Sequence, residues 1–166
     1  MKLSRRFTLL AGAAALAGCA RETKFRAYDG PEITHVVVDK PGRRMFLLHG
    51  NRLLAHYRVD LGFAPEGHKR FEGDGRTPEG RYVIDRRNPN SAYHLSLGIS
   101  YPNQADIAYA RDHGLSPGGD IFIHGEATAF GFLEPDWTAG CISVKNREIE
   151  DIYAMVRNGT PITITT

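Results

Sequence analysis

The clearest pattern in the chain is a period of two. Leu53, Ala55, Tyr57, Val59 and Leu61 fall on one side; Arg52, His56, Arg58 and Asp60 fall on the other with Leu54. Side chains of a strand point alternately to opposite faces, so this pattern predicts a half-buried strand in a mainly antiparallel sheet. Apolar runs at 33–39 and 45–49 predict two more strands, and Gly50-Asn51 predicts a tight hairpin turn between strands. Residues 82–85, 94–101, 120–124, 141–144 and 160–165 predict five others. Near the end the period changes. Ile149, Ile152, Tyr153 and Val156 fall at i, i+3, i+4 and i+7, a helix stripe facing the core, with Asn146 as the expected N-cap. Residues 103–113 predict a short helix ended by Gly114. The expected fold class is mainly β: one sandwich or barrel-like domain over residues 33–166 with two peripheral helices.

The first twenty residues break this pattern. Lys2, Arg5 and Arg6 form a basic start, and Phe7 to Ala17 is apolar but shorter than the roughly 18 residues a membrane span needs. Leu16-Ala17-Gly18-Cys19 resembles a bacterial lipoprotein processing box. That resemblance implies a signal peptide over residues 1–18 and a tether over 19–32 that begins at a lipidated Cys19. Two or more acyl chains anchor a protein stably. The expected location is exported and membrane-anchored, facing the periplasm. Ala20 in place of an aspartate favours the outer membrane. Ser4-Arg5-Arg6-Phe7 leaves the general secretory and twin-arginine routes both open.

Processing also changes the charge. The whole chain carries 21 basic and 19 acidic side chains. Losing residues 1–18 removes three basic residues and no acid, so the remainder has a net charge of −1. The basic balance therefore belongs to the leader and gives no argument for nucleic-acid binding. What remains is long enough for one domain with its own core, expected to be a monomer. With Cys19 lipidated, Cys141 has no disulfide partner. A lone thiol in an exported protein is expected to be used; the competing reading is a small buried core residue.

The candidate chemistry lies in residues 119–144. Asp120 to His124 reads as a strand that Gly125 ends, and Cys141-Ile142-Ser143-Val144 starts another. Paired as a hairpin, about 4.8 Å apart, the two strands would bring His124 beside Cys141. An imidazole beside a thiol can take its proton, and the resulting ion pair lowers the cysteine pKa. Gly140 allows a tight turn, and N–H groups around Gly140 and Cys141 could stabilise an oxyanion. A backbone carbonyl, for example that of Gly125, could orient the imidazole. No aspartate or asparagine stands out as a third member.

His124-Gly125, a loop, then Thr138-x-Gly140-Cys141 and a hydrophobic residue resembles the L,D-transpeptidase (YkuD-like) signature. The resemblance covers roughly residues 33–165. Asp136-Trp137-Thr138-x-Gly140-Cys141 is similar to a branch known both as murein transpeptidases and as peptidoglycan amidases. Two positions depart from the usual form: Thr138 stands for serine, and Ser143 for arginine. The resemblance implies that Cys141 attacks a peptidoglycan stem peptide, with His124 as proton donor and acceptor, and passes the acyl group to an amine. Water in place of that amine would make a hydrolytic amidase or carboxypeptidase. Thr138, His94, Arg76 and Lys145 are the expected substrate-binding residues.

Glycine-rich residues 62–80 read either as an exposed turn or as a wall of the site. Their Thr77-Pro78-Glu79-Gly80 segment matches a fold signature of the family. There is no phosphate-loop pattern, and no cofactor is expected. A zinc site from His68, His94, His124 and Cys141 would need ligands from scattered loops, so no metal is expected. A non-catalytic envelope lipoprotein is the remaining alternative.

Overall fold

The computed structural model describes residues 23–126 and 134–166. The expected signal peptide and Cys19 lie outside the described residues. Eight strands form one sheet: β1 (His35–Asp39), β2 (Arg44–His49), β3 (Arg52–Arg58), β4 (Gly80–Asn88), β5 (Ser96–Ile99), β6 (Phe122–His124), β7 (Ile142–Ser143) and β8 (Pro161–Thr165). Two helices join them, α1 (Gln104–Asp112) and α2 (Asn146–Met155). The fold is mainly β, as the alternation requires.

The strand order is β3-β2-β1-β8-β4-β5-β6-β7. The sheet is curled, and its two edges nearly meet. The chain leaving β3 bridges to the far edge: Asp60 pairs with Ser143 and Gly62 with Thr138. This seam carries four backbone hydrogen bonds, from Asp60 N–H to Ser143 O, Ser143 N–H to Asp60 O, Thr138 N–H to Leu61 O and Phe63 N–H to Thr138 O, at 2.8–3.1 Å. Closing the edges satisfies backbone groups that an open sheet would leave exposed.

The core fills the curl. Val36, Val38, Met45, Leu47, Leu61, Ile84, Leu97, Ile123, Ile142 and Ile162 are buried within it. α2 packs against β5 and β6. Its stripe of Ile149, Ile152 and Tyr153 is buried, and Val156 just beyond it also faces the core.

Three local expectations change. β3 holds its alternation only from Ala55 onward, because the register with β2 shifts between Leu47 and Leu48. Leu48 pairs with Leu53 and Leu47 with Ala55, so Leu54 is the extra residue of a bulge. Leu53 beyond it is 49% exposed. Asn146 is not the N-cap of α2: Lys145 holds that position, and Asn146 is the first helical residue. Part of the expected tether lies against the domain, for Lys24 Nζ donates to the Pro89 and His94 carbonyls and Arg26 pairs with Glu150 and Asp151.

The α2 stripe gives a direct test of this packing. Ile152→Ala leaves a cavity under α2 and should cost about 2–5 kcal/mol in unfolding free energy by chemical denaturation, with Ile→Ala at an exposed position such as Ile107 costing far less.

Candidate active site

The seam is also where the chemistry-bearing residues meet. β6 ends at His124, and β7 begins just after Cys141. The two strands are neighbours, but they run parallel, not as the expected hairpin. Because the strands are parallel, the seventeen residues between them bring the chain back to the end where β6 starts, and His124 is paired with Ser143. Cys141 sits two residues before that register.

His124 is buried and closely held. Its Nδ1 lies 2.6 Å from Gly125 O, which places the Nδ1 proton on that carbonyl and leaves Nε2 as the basic nitrogen. Tyr93 stacks on the ring with centroids 4.5 Å apart, and Trp137 meets it edge-on at 5.6 Å. Burial pulls the imidazole pKa below its ordinary value, and the Gly125 hydrogen bond offsets only part of this.

Cys141 is held differently. Its thiol donates to Asp120 O at 3.5 Å and makes no hydrogen bond to His124 among the described residues. Burial raises its pKa. The Phe122 N–H opposes the rise, the Asp120 carboxylate adds to it, and Lys69 opposes it. Both directions favour the uncharged forms, a protonated thiol and a neutral imidazole. Burial favours the uncharged form of each partner, and no direct contact repays the cost of charging both.

The turn before Cys141 is built from backbone. Gly140 has φ +131°, and a Cβ there would lie 2.7 Å from Arg76 O, so only glycine fits. Gly62 also packs against the Gly140 Cα. The glycine-rich segment is therefore a wall of the site. Lys40 fixes it from below, with Nζ on Gly67 O, Thr77 O and Glu79 Oε1. His68 ties it to α1, its Nδ1 accepting from Glu79 N–H and its Nε2 donating to Asp106. Among the described residues, no group of three or more His, Cys, Asp or Glu side chains is placed to hold a metal ion.

The structure places the four expected substrate-binding residues as follows. Thr138 is buried, and its hydroxyl is used inside the turn: it donates to Cys141 O at 2.7 Å and accepts from Gly140 N–H at 3.1 Å. Gly140 N–H is accordingly committed, whereas Cys141 N–H has no backbone acceptor among the described residues. His94 bonds Glu150 Oε1 at 2.8 Å, which ties the loop before β5 to α2. Arg76 contributes its carbonyl beneath Gly140, while its side chain is exposed. Lys145 is the exposed cap of α2.

The family model described as YkuD, L,D-transpeptidase catalytic domain, matches residues 33–164. The chain belongs to the L,D-transpeptidase catalytic-domain family. Its similarity to the Escherichia coli K12 protein named "Putative L,D-transpeptidase YafK" is 26% identity over 152 residues, covering 89% of this chain and 56% of that protein. Among solved structures, the helical cell shape determining protein Pgp2 from Campylobacter jejuni is 26% identical with a TM-score of 0.62, covering 82% of this chain and 48% of that one. Bd1075 from Bdellovibrio bacteriovorus is 27% identical with a TM-score of 0.57, covering 80% and 48%. The chain thus spans about half the length of these relatives.

Within this L,D-transpeptidase domain, sequence reasoning missed Tyr93, Asp136 and Lys69. Tyr93 precedes His94 in a loop, and nothing local aims its ring at His124. Asp136 could have been suspected from the Asp-Trp-Thr-x-Gly-Cys run. Its carboxylate takes Arg43 Nε and Nη2 at 2.6–2.9 Å and Leu61 N–H at 2.9 Å, so it fastens the turn to the seam. Lys69 is buried, with Nζ on Asp74 and Phe71 O.

Two measurements test this geometry. The free protein should react with iodoacetamide more slowly than free cysteine at pH 7, with a rate that keeps climbing through the ordinary thiol range; a plateau reached below pH 7 would show a resident ion pair instead. Asp136→Ala should cost about 1–3 kcal/mol in thermal or denaturant unfolding by leaving Leu61 N–H and Arg43 without their acceptor, while Asp136→Asn keeps part of that loss.

Proposed function

We propose that this chain is a cysteine acyltransferase that forms or remodels cross-links in peptidoglycan. The observation that carries the reading is the pairing of strands that end at His124 and begin after Cys141, with His124 Nδ1 fixed on Gly125 O in a domain of this family. The cell-shape role in the name of Pgp2 supports a wall substrate.

In this mechanism the thiol turns from Asp120 O toward Nε2 of His124. The imidazole takes the S–H proton as sulfur bonds the amide carbon that follows the L-centre of a stem-peptide diaminopimelate. Cys141 N–H stabilises the oxyanion, because Gly140 N–H is held by Thr138. The C–N bond breaks, and His124 returns the proton to the leaving D-alanine amine. An acceptor amine then attacks the thioester, His124 takes its proton, and the thiol is released. Because the imidazole pKa is lowered, its basic form persists to more acidic pH, and the acid limb of kcat/KM should fall below pH 6.5. The Leu16-Ala17-Gly18-Cys19 box supports an exported protein anchored by lipid at Cys19.

Mass spectrometry decides between the outcomes. The purified protein, incubated with a diaminopimelate-containing tetrapeptide, should give a cross-linked dimer that disappears in Cys141→Ala. Tripeptide alone would make it a carboxypeptidase, and cleavage of pre-formed cross-links alone would make it an amidase.

A further inference from the structure

The imidazole is oriented by one peptide unit, and that unit is held from both edges. Gly125 O and Glu126 N–H belong to the same peptide plane and point to opposite sides. On one side the carbonyl takes His124 Nδ1 at 2.6 Å, with Ser143 Oγ at 3.5 Å. On the other side the Glu126 N–H donates to Asn146 Oδ1 at 3.0 Å. A glycine peptide is the easiest to rotate, because no Cβ resists the change. Rotated by half a turn, this unit would present Glu126 N–H to Nδ1. Nδ1 would then accept, the proton would move to Nε2, and Nε2 would no longer be a base.

We infer that Asn146 is a positioning residue that sets the tautomer of His124 by locking the Gly125–Glu126 peptide. Three observations converge on it. Asn146 opens α2 yet does not cap the helix, since its side-chain oxygen reaches twenty residues back to Glu126. A Cβ at position 125 would lie 2.4 Å from Asn146 Oδ1 and 2.9 Å from Tyr93 O, so glycine there is what lets the amide approach. Asn146 is itself seated by α2, whose Ile149 and Ile152 are anchored in the core. The lock therefore transmits the rigidity of a packed helix to a catalytic ring that Asn146 does not touch. Only the oxygen is used, so a carboxylate should serve as well as the amide.

The inference rests on the acyl-transfer reading only for its kinetic consequence; the tautomer can be read without substrate. The test compares Asn146→Asp, which keeps the acceptor, with Asn146→Ala, which removes it. Nitrogen NMR of the ¹⁵N-histidine-labelled protein should show His124 protonated at Nδ1 in the original protein and in Asn146→Asp. In Asn146→Ala it should show the Nε2–H form or exchange between the two. The kcat for stem-peptide turnover should fall by roughly tenfold or more in Asn146→Ala with KM little changed, and Asn146→Asp should restore it. A thermal melt confirms that each variant is folded; if Asn146→Ala is not, Asn146→Ser, whose shorter side chain withdraws the acceptor, takes its place. An unchanged tautomer in the folded Ala or Ser variant, or equal loss in Asp and Ala, overturns the inference. If no variant and not even the original protein turns over the peptide, the substrate reading has failed while the ring spectra still decide the role of Asn146.

Discussion

Closure of the sheet is the constraint on which the rest depends. The chain from Val59 to Phe63 leaves one edge and hydrogen-bonds to residues 138–143 at the other. Without that seam, β7 would be a two-residue strand with one neighbour, far too short to hold the residue before it, Cys141, in place. With it, the backbone on both sides of Cys141 is fixed: Thr138 by Leu61 and Phe63, Ser143 by Asp60. Asp136 adds a side-chain clasp to the same segment through Leu61 N–H and Arg43. The glycines at 62 and 140 follow from this, since two backbones approach there more closely than any Cβ allows.

The same enclosure decides the electrostatics. The half-buried Cys141 thiol and the buried His124 imidazole each lose solvation on charging, which favours the neutral form of each. A raised thiol pKa makes Cys141 a weaker target for oxidants, which attack the thiolate. The cation that acts against the raised thiol pKa is Lys69, supplied by the glycine-rich wall. The arginine usual two residues after the nucleophile is Ser143 here, buried at 1% exposure with its backbone in the seam.

Much of this was legible in the chain. Period two marked the strands, the i, i+3, i+4, i+7 stripe marked α2, and His124 and Cys141 could be singled out by chemistry alone. Strand direction was not legible, because a seventeen-residue connection can serve a hairpin or a parallel return. Leu53 was misplaced because a bulge needs a partner strand to exist, and one extra residue reverses every side chain beyond it. The sequence shows a hydroxyl at Thr138 but not its neighbours in space, Gly140 N–H and Cys141 O. Tyr93 and Asn146 lie 31 and 22 residues from His124 in the chain, and only tertiary packing brings them to it.

Those long-range contacts share an origin. Tyr93 precedes a residue, His94, that is tied to Glu150, and Glu150 is also held by Arg26. Burial opposes ionisation of Glu150, but the hydrogen bonds from Arg26 and His94 outweigh it and hold the carboxyl below its ordinary value. Asn146 and Glu150 stand one helical turn apart, so α2 presents both to the same side. One reaches the peptide that orients His124, and the other reaches the loop whose next residue stacks on its ring. α2 is peripheral in the topology but central to the site: the helix buries its apolar stripe against β5 and β6, and that packing is what makes its polar residues fixed reference points. The placement of the His124 imidazole thus draws on the core, carried outward by one helix through Asn146 and Glu150.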